Sequence, residues 1–217
     1  RVKKFENYSS EKIDLFILAV KPKDALNAYK EIITNYKSPK IISFVAGIKS
    51  KKYLKINKDI QFMRAMPNTS SKFNLGITAI FNATFKEGNL KKVKKLFKNV
   101  GIVLELDKEN KIDVFTGMIG SGPAYFFYLL KSYQKKLMYL CHSDQKMVND
   151  VMVNLIKGVG SSIEHNQDLD ELIATVASKR GTTEAGLNSF KSLKLNKSFE
   201  DGINAAIQRS KEISNEF

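Results

Sequence analysis

The chain has 217 residues, 43% of them hydrophobic and 27% charged, a balance that fits a soluble globular protein of one or two domains. No apolar run is long enough to cross a bilayer, no signal-peptide pattern is visible, and the lone Cys141 excludes an intrachain disulfide and suits a reducing, cytoplasmic compartment. The formal charge of +14 raises the question of a nucleic-acid partner. Lys91, Lys92, Lys94, Lys95 and Lys98, however, alternate with Leu90, Val93, Leu96, Phe97 and Val100 as the polar face of an amphipathic helix, and a solvated surface accounts for them more simply.

In chain order, residues 13–20 form a short apolar run closed by Lys21-Pro22, which predicts a buried parallel strand. Ala25, Ala28, Ile32 and Ile33 give residues 24–36 helical spacing. Further strands are predicted over 40–45, 60–66, 77–82 and 100–106, with helices over 49–54 and 87–98. Strands alternating with helices indicate an α/β sheet. After about Asp107 the strand pattern disappears, and residues 112–118, 124–139, 146–164, 169–176, 183–192 and 199–217 all favour helix. The expected division is therefore an α/β domain over 1–106 and an all-α domain over 107–217. Met118, Tyr125, Phe126, Phe127, Leu130, Tyr133, Leu137 and Tyr139 are too many apolar residues for a lone bundle and read as core or subunit interface.

Two segments carry chemistry. Ser178-Lys179-Arg180-Gly181-Thr182-Thr183-Glu184 puts a glycine and two hydroxyls at a helix start, a cluster of backbone N–H donors suited to an anion; an ordinary capped helix is the bland alternative. Gly120-Ser121-Gly122-Pro123-Ala124-Tyr125 stands before a long apolar helix. His142 and His165 have no motif around them, and no metal site is expected.

With Leu18-Ala19-Val20-Lys21-Pro22, Val45-Ala46-Gly47-Ile48 and Arg64-Ala65-Met66-Pro67-Asn68-Thr69 upstream, these segments in this order resemble the pyrroline-5-carboxylate reductase family over nearly the whole chain. The resemblance implies a Rossmann-type parallel sheet followed by a helical dimerisation domain. It also implies reduction of 1-pyrroline-5-carboxylate to L-proline by NADPH or NADH, in a homodimer or an assembly of dimers, with no nucleic-acid or membrane partner. The first glycine is Gly47, so the Gly-x-Gly-x-x-Gly turn of such a fold lies outside this sequence, and the resemblance implies a sheet domain incomplete at its N-terminus.

Residue by residue, the resemblance places Asn7, Ala19, Val20, Lys21, Pro22, Val45, Ala46 and Thr175 at the cofactor. It places Glu109, Ser178, Gly181, Thr182 and Thr183 at the substrate, with Thr183 hydrogen-bonding the ring nitrogen as the catalytic group. Lys21 and Glu109 read equally well as plain surface residues. The chain departs from the family pattern at Lys179-Arg180, where Pro-Gly is usual, and at Ile119, where serine is usual. An L-residue in place of that glycine is expected to restrict the loop. The competing functions are another dehydrogenase of the β-hydroxyacid type and a vestigial, non-catalytic dimerisation module.

Overall fold

The computed structural model describes residues 13–216. Contacts divide the described residues into two compact units, one reaching to Pro123 and also including residues 203–216, the other Ala124–Gly202.

The first unit is built on a five-stranded sheet with the strands in chain order: β1 (Phe16–Leu18), β2 (Lys40–Ser43), β3 (Gln61–Pro67), β4 (Gly76–Asn82) and β5 (Gly101–Glu105). Helices α1 (Pro22–Asn35) and α2 (Ser50–Leu54) return the chain between parallel β1, β2 and β3, and α3 (Glu87–Lys98) does the same between parallel β4 and β5. One ladder departs from the parallel expectation, because β3 and β4 are antiparallel. Only a short 3₁₀ turn (Thr69–Phe73) joins them, and a parallel crossover needs about a dozen residues or more. Asn68 ties that turn down: its backbone N–H donates to Ile77 O, and its Oδ1 accepts from Ile77 N at 3.0 Å.

Alternation along the strands feeds two cores. Ile41 and Phe62, paired across β2 and β3, join Tyr29 and Tyr53 on one face; the next pair, Ile42 and Met63, joins Val93 and Phe97 on the other. Tyr53 stacks on Phe62 with ring centroids 4.6 Å apart and meets Tyr29 edge-on at 5.1 Å. Burial, with a lesser contribution from neighbouring Tyr53, pushes the Tyr29 phenol up to about 12. At the edge of the described sheet, β1 buries Phe16 and Leu18 and leaves Ile17 exposed, so this strand is buried on one side rather than both. The lysines on α3 do lie outward: Lys91, Lys92, Lys95 and Lys98 are exposed while Val93 and Phe97 are buried.

After β5 come α4 (Lys111–Phe115) and a π turn (Thr116–Gly120), packed against the far part of the last helix, α9 (Leu195–Glu216). Buried Asp113 accepts from Ser214 Oγ at 2.6 Å, and a Cβ at Gly117 would run into the backbone of Ile207. Glycine is therefore required there by close approach.

The second unit contains α5 (Gly122–Leu140), α6 (Gln145–His165), α7 (Leu169–Val176) and α8 (Thr182–Ser192), with the start of α9. Asp144 and Asp168 cap α6 and α7 by accepting from the first-turn amides of Lys146 and Met147, and of Asp170 and Glu171. Apolar side chains stay uncovered along these helices: Phe126, Phe127 and Tyr128 on α5, and Val153, Ile156, Val159 and Ile163 at helical spacing on α6. Among the described residues no helix is long and apolar enough to cross a membrane, and no cluster of potential metal ligands occurs.

Candidate functional site

Each unit carries one set of the residues singled out in the sequence. In the α/β unit, β1 and β2 run in parallel register with Leu18 opposite Ser43, and Phe44 N donates to Leu18 O at 2.9 Å. Their C-terminal ends therefore emerge side by side and bring Ala19, Val20, Lys21 and Pro22 next to Val45 and Ala46. This is the strand end at which open α/β sheets receive ligands. Ala19, Val20 and Lys21 are exposed, Pro22 and Ala46 half-buried, and Val45 buried. Pro22 opens α1 at its first position, where a missing N–H costs nothing, and no side chain caps that helix. The strand ends thus offer a small aliphatic platform and one exposed cation, Lys21. Asn7 lies outside the described residues.

The turn out of β2 is held by an ion pair. Arg64, on β3, is 2% exposed. Its Nη1 donates to Glu109 Oε1 at 3.2 Å, and its Nη2 donates to Val45 O at 3.3 Å. The same Glu109 carboxylate accepts from Ser50 N at 2.6 Å and Ser50 Oγ at 2.8 Å, at the start of α2. Glu109 is thus drawn inward to three donors. In the sequence Arg64 stands only as one member of a motif; the signal that could have singled it out is a charged residue inside the apolar run Phe62-Met63-Arg64-Ala65-Met66.

In the helical unit, Thr175, Ser178, Gly181, Thr182 and Thr183 come together where α7 ends and α8 begins. Gly181 is the N-cap residue of α8 and has no side chain to cap with, so the first-turn amides of Thr182 and Thr183 receive no side-chain cap. The Gly181 N–H donates to Ser178 O at 2.9 Å, and a Cβ at Gly181 would collide with Ser178. Thr183 is half-buried and lines an apolar hollow of about 380 Å³ with Leu172, Thr175, Val176 and Leu187. The Thr175 hydroxyl is already used, donating to Leu172 O at 2.7 Å.

Arg180 corrects one expectation. It adopts φ +61°, the left-handed region that a glycine takes freely, so the loop is not restricted to ordinary φ values and the L-residue bears the strain. Glu184, in the first turn of α8, reaches back to accept from Arg180 N and holds that conformation.

A mostly parallel α/β sheet followed by a helical region defines a two-part protein with a Rossmann-type fold. Residues 109–213 match the family model for pyrroline-5-carboxylate reductase dimerisation. Pyrroline-5-carboxylate reductase 1 of Bacillus subtilis is 33% identical over 209 residues, covering 94% of this chain and 69% of that protein. A solved pyrroline-5-carboxylate reductase from Coxiella burnetii superposes with a TM-score of 0.82 at 27% identity, covering 94% of this chain and 77% of that one. The fold is shared as well with the Plasmodium falciparum pyrroline carboxylate reductase crystallised with NADP bound, at TM-score 0.87 and 22% identity, over 98% of this chain and 81% of that one. The chain belongs to the pyrroline-5-carboxylate reductase family.

Proposed function

We propose that this protein reduces 1-pyrroline-5-carboxylate to L-proline with NADPH or NADH as hydride donor. The observation that carries the reading is the uncapped start of α8, with two threonine amides and the Thr183 side chain beside an apolar hollow, in a chain 33% identical to a named reductase over 94% of its length.

The nicotinamide, when bound, supplies the hydride. Ala19, Val20, Lys21, Pro22, Val45 and Ala46, with Asn7 and Thr175, are the residues that would hold the dinucleotide. The aliphatic platform suits a flat ring, and Lys21 suits a phosphate, so the donor set fits such a group. The substrate carboxylate takes the amides of Thr182 and Thr183 with the α8 dipole behind them, and the Ser178 hydroxyl adds a third donor. Gly181 contributes by its lack of a side chain, since its own N–H is spent on Ser178 O. Thr183 Oγ1 accepts from the protonated ring nitrogen, aligns the imine carbon for the hydride, and keeps the bond as the ring becomes an amine. The enzyme acts in the cytoplasm as a homodimer, joined through the exposed apolar faces of α5 and α6.

The test is oxidation of NADPH or NADH, followed at 1-pyrroline-5-carboxylate concentrations spanning saturation, with proline quantified as product. Stoichiometric proline supports the reading. A folded dimer that makes none with either nucleotide rejects it in favour of a non-catalytic dimerisation module.

A further inference from the structure

We propose that Arg64 and Glu109 form a positioning bracket for the turn that follows β2, and that Glu109 acts through this turn rather than by touching substrate. The inference rests on the functional reading above. The turn from Val45 to Ser50 carries Val45 and Ala46, and Gly47 within it adopts φ +81°. The turn is held from outside by side chains of β3 and of the segment after β5. Arg64 Nη2 holds the Val45 carbonyl, and Glu109 holds both the amide and the hydroxyl of Ser50. The bond from Arg64 Nη1 to Glu109 closes the bracket. Ser43 Oγ adds a bond from Val45 N at 3.2 Å inside it.

Chemistry favours positioning over ligand contact. Glu109 is already engaged by one cation and two Ser50 donors, and its side chain is 18% exposed. A buried guanidinium without its carboxylate would be an uncompensated charge, so the two residues act as one part. Among the described residues Arg64 Nε is buried with no partner, so the guanidinium sits where its two terminal nitrogens reach Glu109 and Val45 at the cost of the third. Planar two-pronged donation is what lysine cannot reproduce. The bracket ties the turn after β2, through to the start of α2, to β3 and to the segment after β5, so three separate stretches of chain meet at the platform on which the nicotinamide would rest.

The experiment compares Arg64→Lys, Arg64→Met and Glu109→Gln with the parent, in protein expressed from its complete gene. It measures melting temperature, hydrogen exchange of peptides spanning residues 44–50, dinucleotide affinity, and kcat and KM for both substrates. In folded variants, exchange over 44–50 rises. Arg64→Met and Glu109→Gln raise the dinucleotide KM about tenfold or more, as a displaced platform requires. The KM for 1-pyrroline-5-carboxylate stays within about twofold. Arg64→Lys falls between parent and Arg64→Met, because it keeps the charge and one of the two bonds. A Glu109→Gln variant with unchanged dinucleotide KM and a substrate KM raised about tenfold would overturn the bracket and make Glu109 a substrate ligand. If the parent has no reductase activity, the functional reading fails while the bracket is still decided: faster exchange over 44–50 upholds it, and unchanged exchange in Arg64→Met removes it. Should Arg64→Met not fold, exchange over 44–50 in Glu109→Gln and Arg64→Lys decides in the same way, a rise upholding the bracket and no change removing it.

Discussion

Thr183 and Arg180 sit three residues apart where α8 begins and make opposite predictions. Thr183 is the second residue of α8 and not its cap, so its hydroxyl is not required to start the helix. Thr183→Ala is therefore expected to leave the melting temperature nearly unchanged while turnover falls on the order of 10- to 1000-fold, the range for one lost hydrogen-bonding partner in the transition state. Melting temperature and kcat on the same preparation separate the roles, and lost stability with normal turnover would reduce Thr183 to a structural residue. Arg180 bears left-handed strain that glycine does not. Arg180→Gly should stabilise the fold by about 1 kcal/mol and raise the melting temperature by roughly 2–4 °C, read by calorimetry. No gain would mean that the Glu184 carboxylate already offsets the strain.

The elements were the most legible part of the sequence, because their periodicity is local. Alternation and apolar runs marked all five strands, and helical spacing marked α1, α3 and α5–α9 to within a few residues. What escaped were features set by tertiary contact. The antiparallel pairing of β4 follows from a short 3₁₀ connection, and Gly117, in the π turn at Thr116–Gly120, lies against Ile207 of a helix far along the chain. Of the site, the strand-end and α8 sets were visible as motifs, whereas the pairing of Arg64 with Glu109 joins residues 45 apart and leaves no local trace. Packing at this scale also has a pH signature. Tyr29 is fully buried against Tyr53 and Phe62, and its pKa is raised from 10.0 to about 12. The folded state keeps this proton longer than the unfolded chain does, so its contribution to stability is complete below pH 10 and is lost as pH rises toward about 12. Tyr29→Phe should therefore flatten the fall in melting temperature between about pH 10 and pH 12 relative to the parent; parallel curves would contradict the burial argument.

At the scale of the molecule, the helical unit exposes Phe126, Phe127, Tyr128, Val153, Ile156, Val159 and Ile163, an apolar surface that water does not favour. Residues 109–213 match the family's dimerisation model, and the two observations together predict a dimer of this chain. Sedimentation velocity at micromolar concentration should show no monomer, and a stable monomer would leave these faces without a partner. The central claim is the reaction, and the direct measurement is steady-state oxidation of NADPH or NADH with 1-pyrroline-5-carboxylate, in the folded protein expressed from its complete gene, with proline counted as product. One proline should form per dinucleotide oxidised, with the rate collapsing in Thr183→Ala. Absence of proline with both nucleotides would contradict the claim.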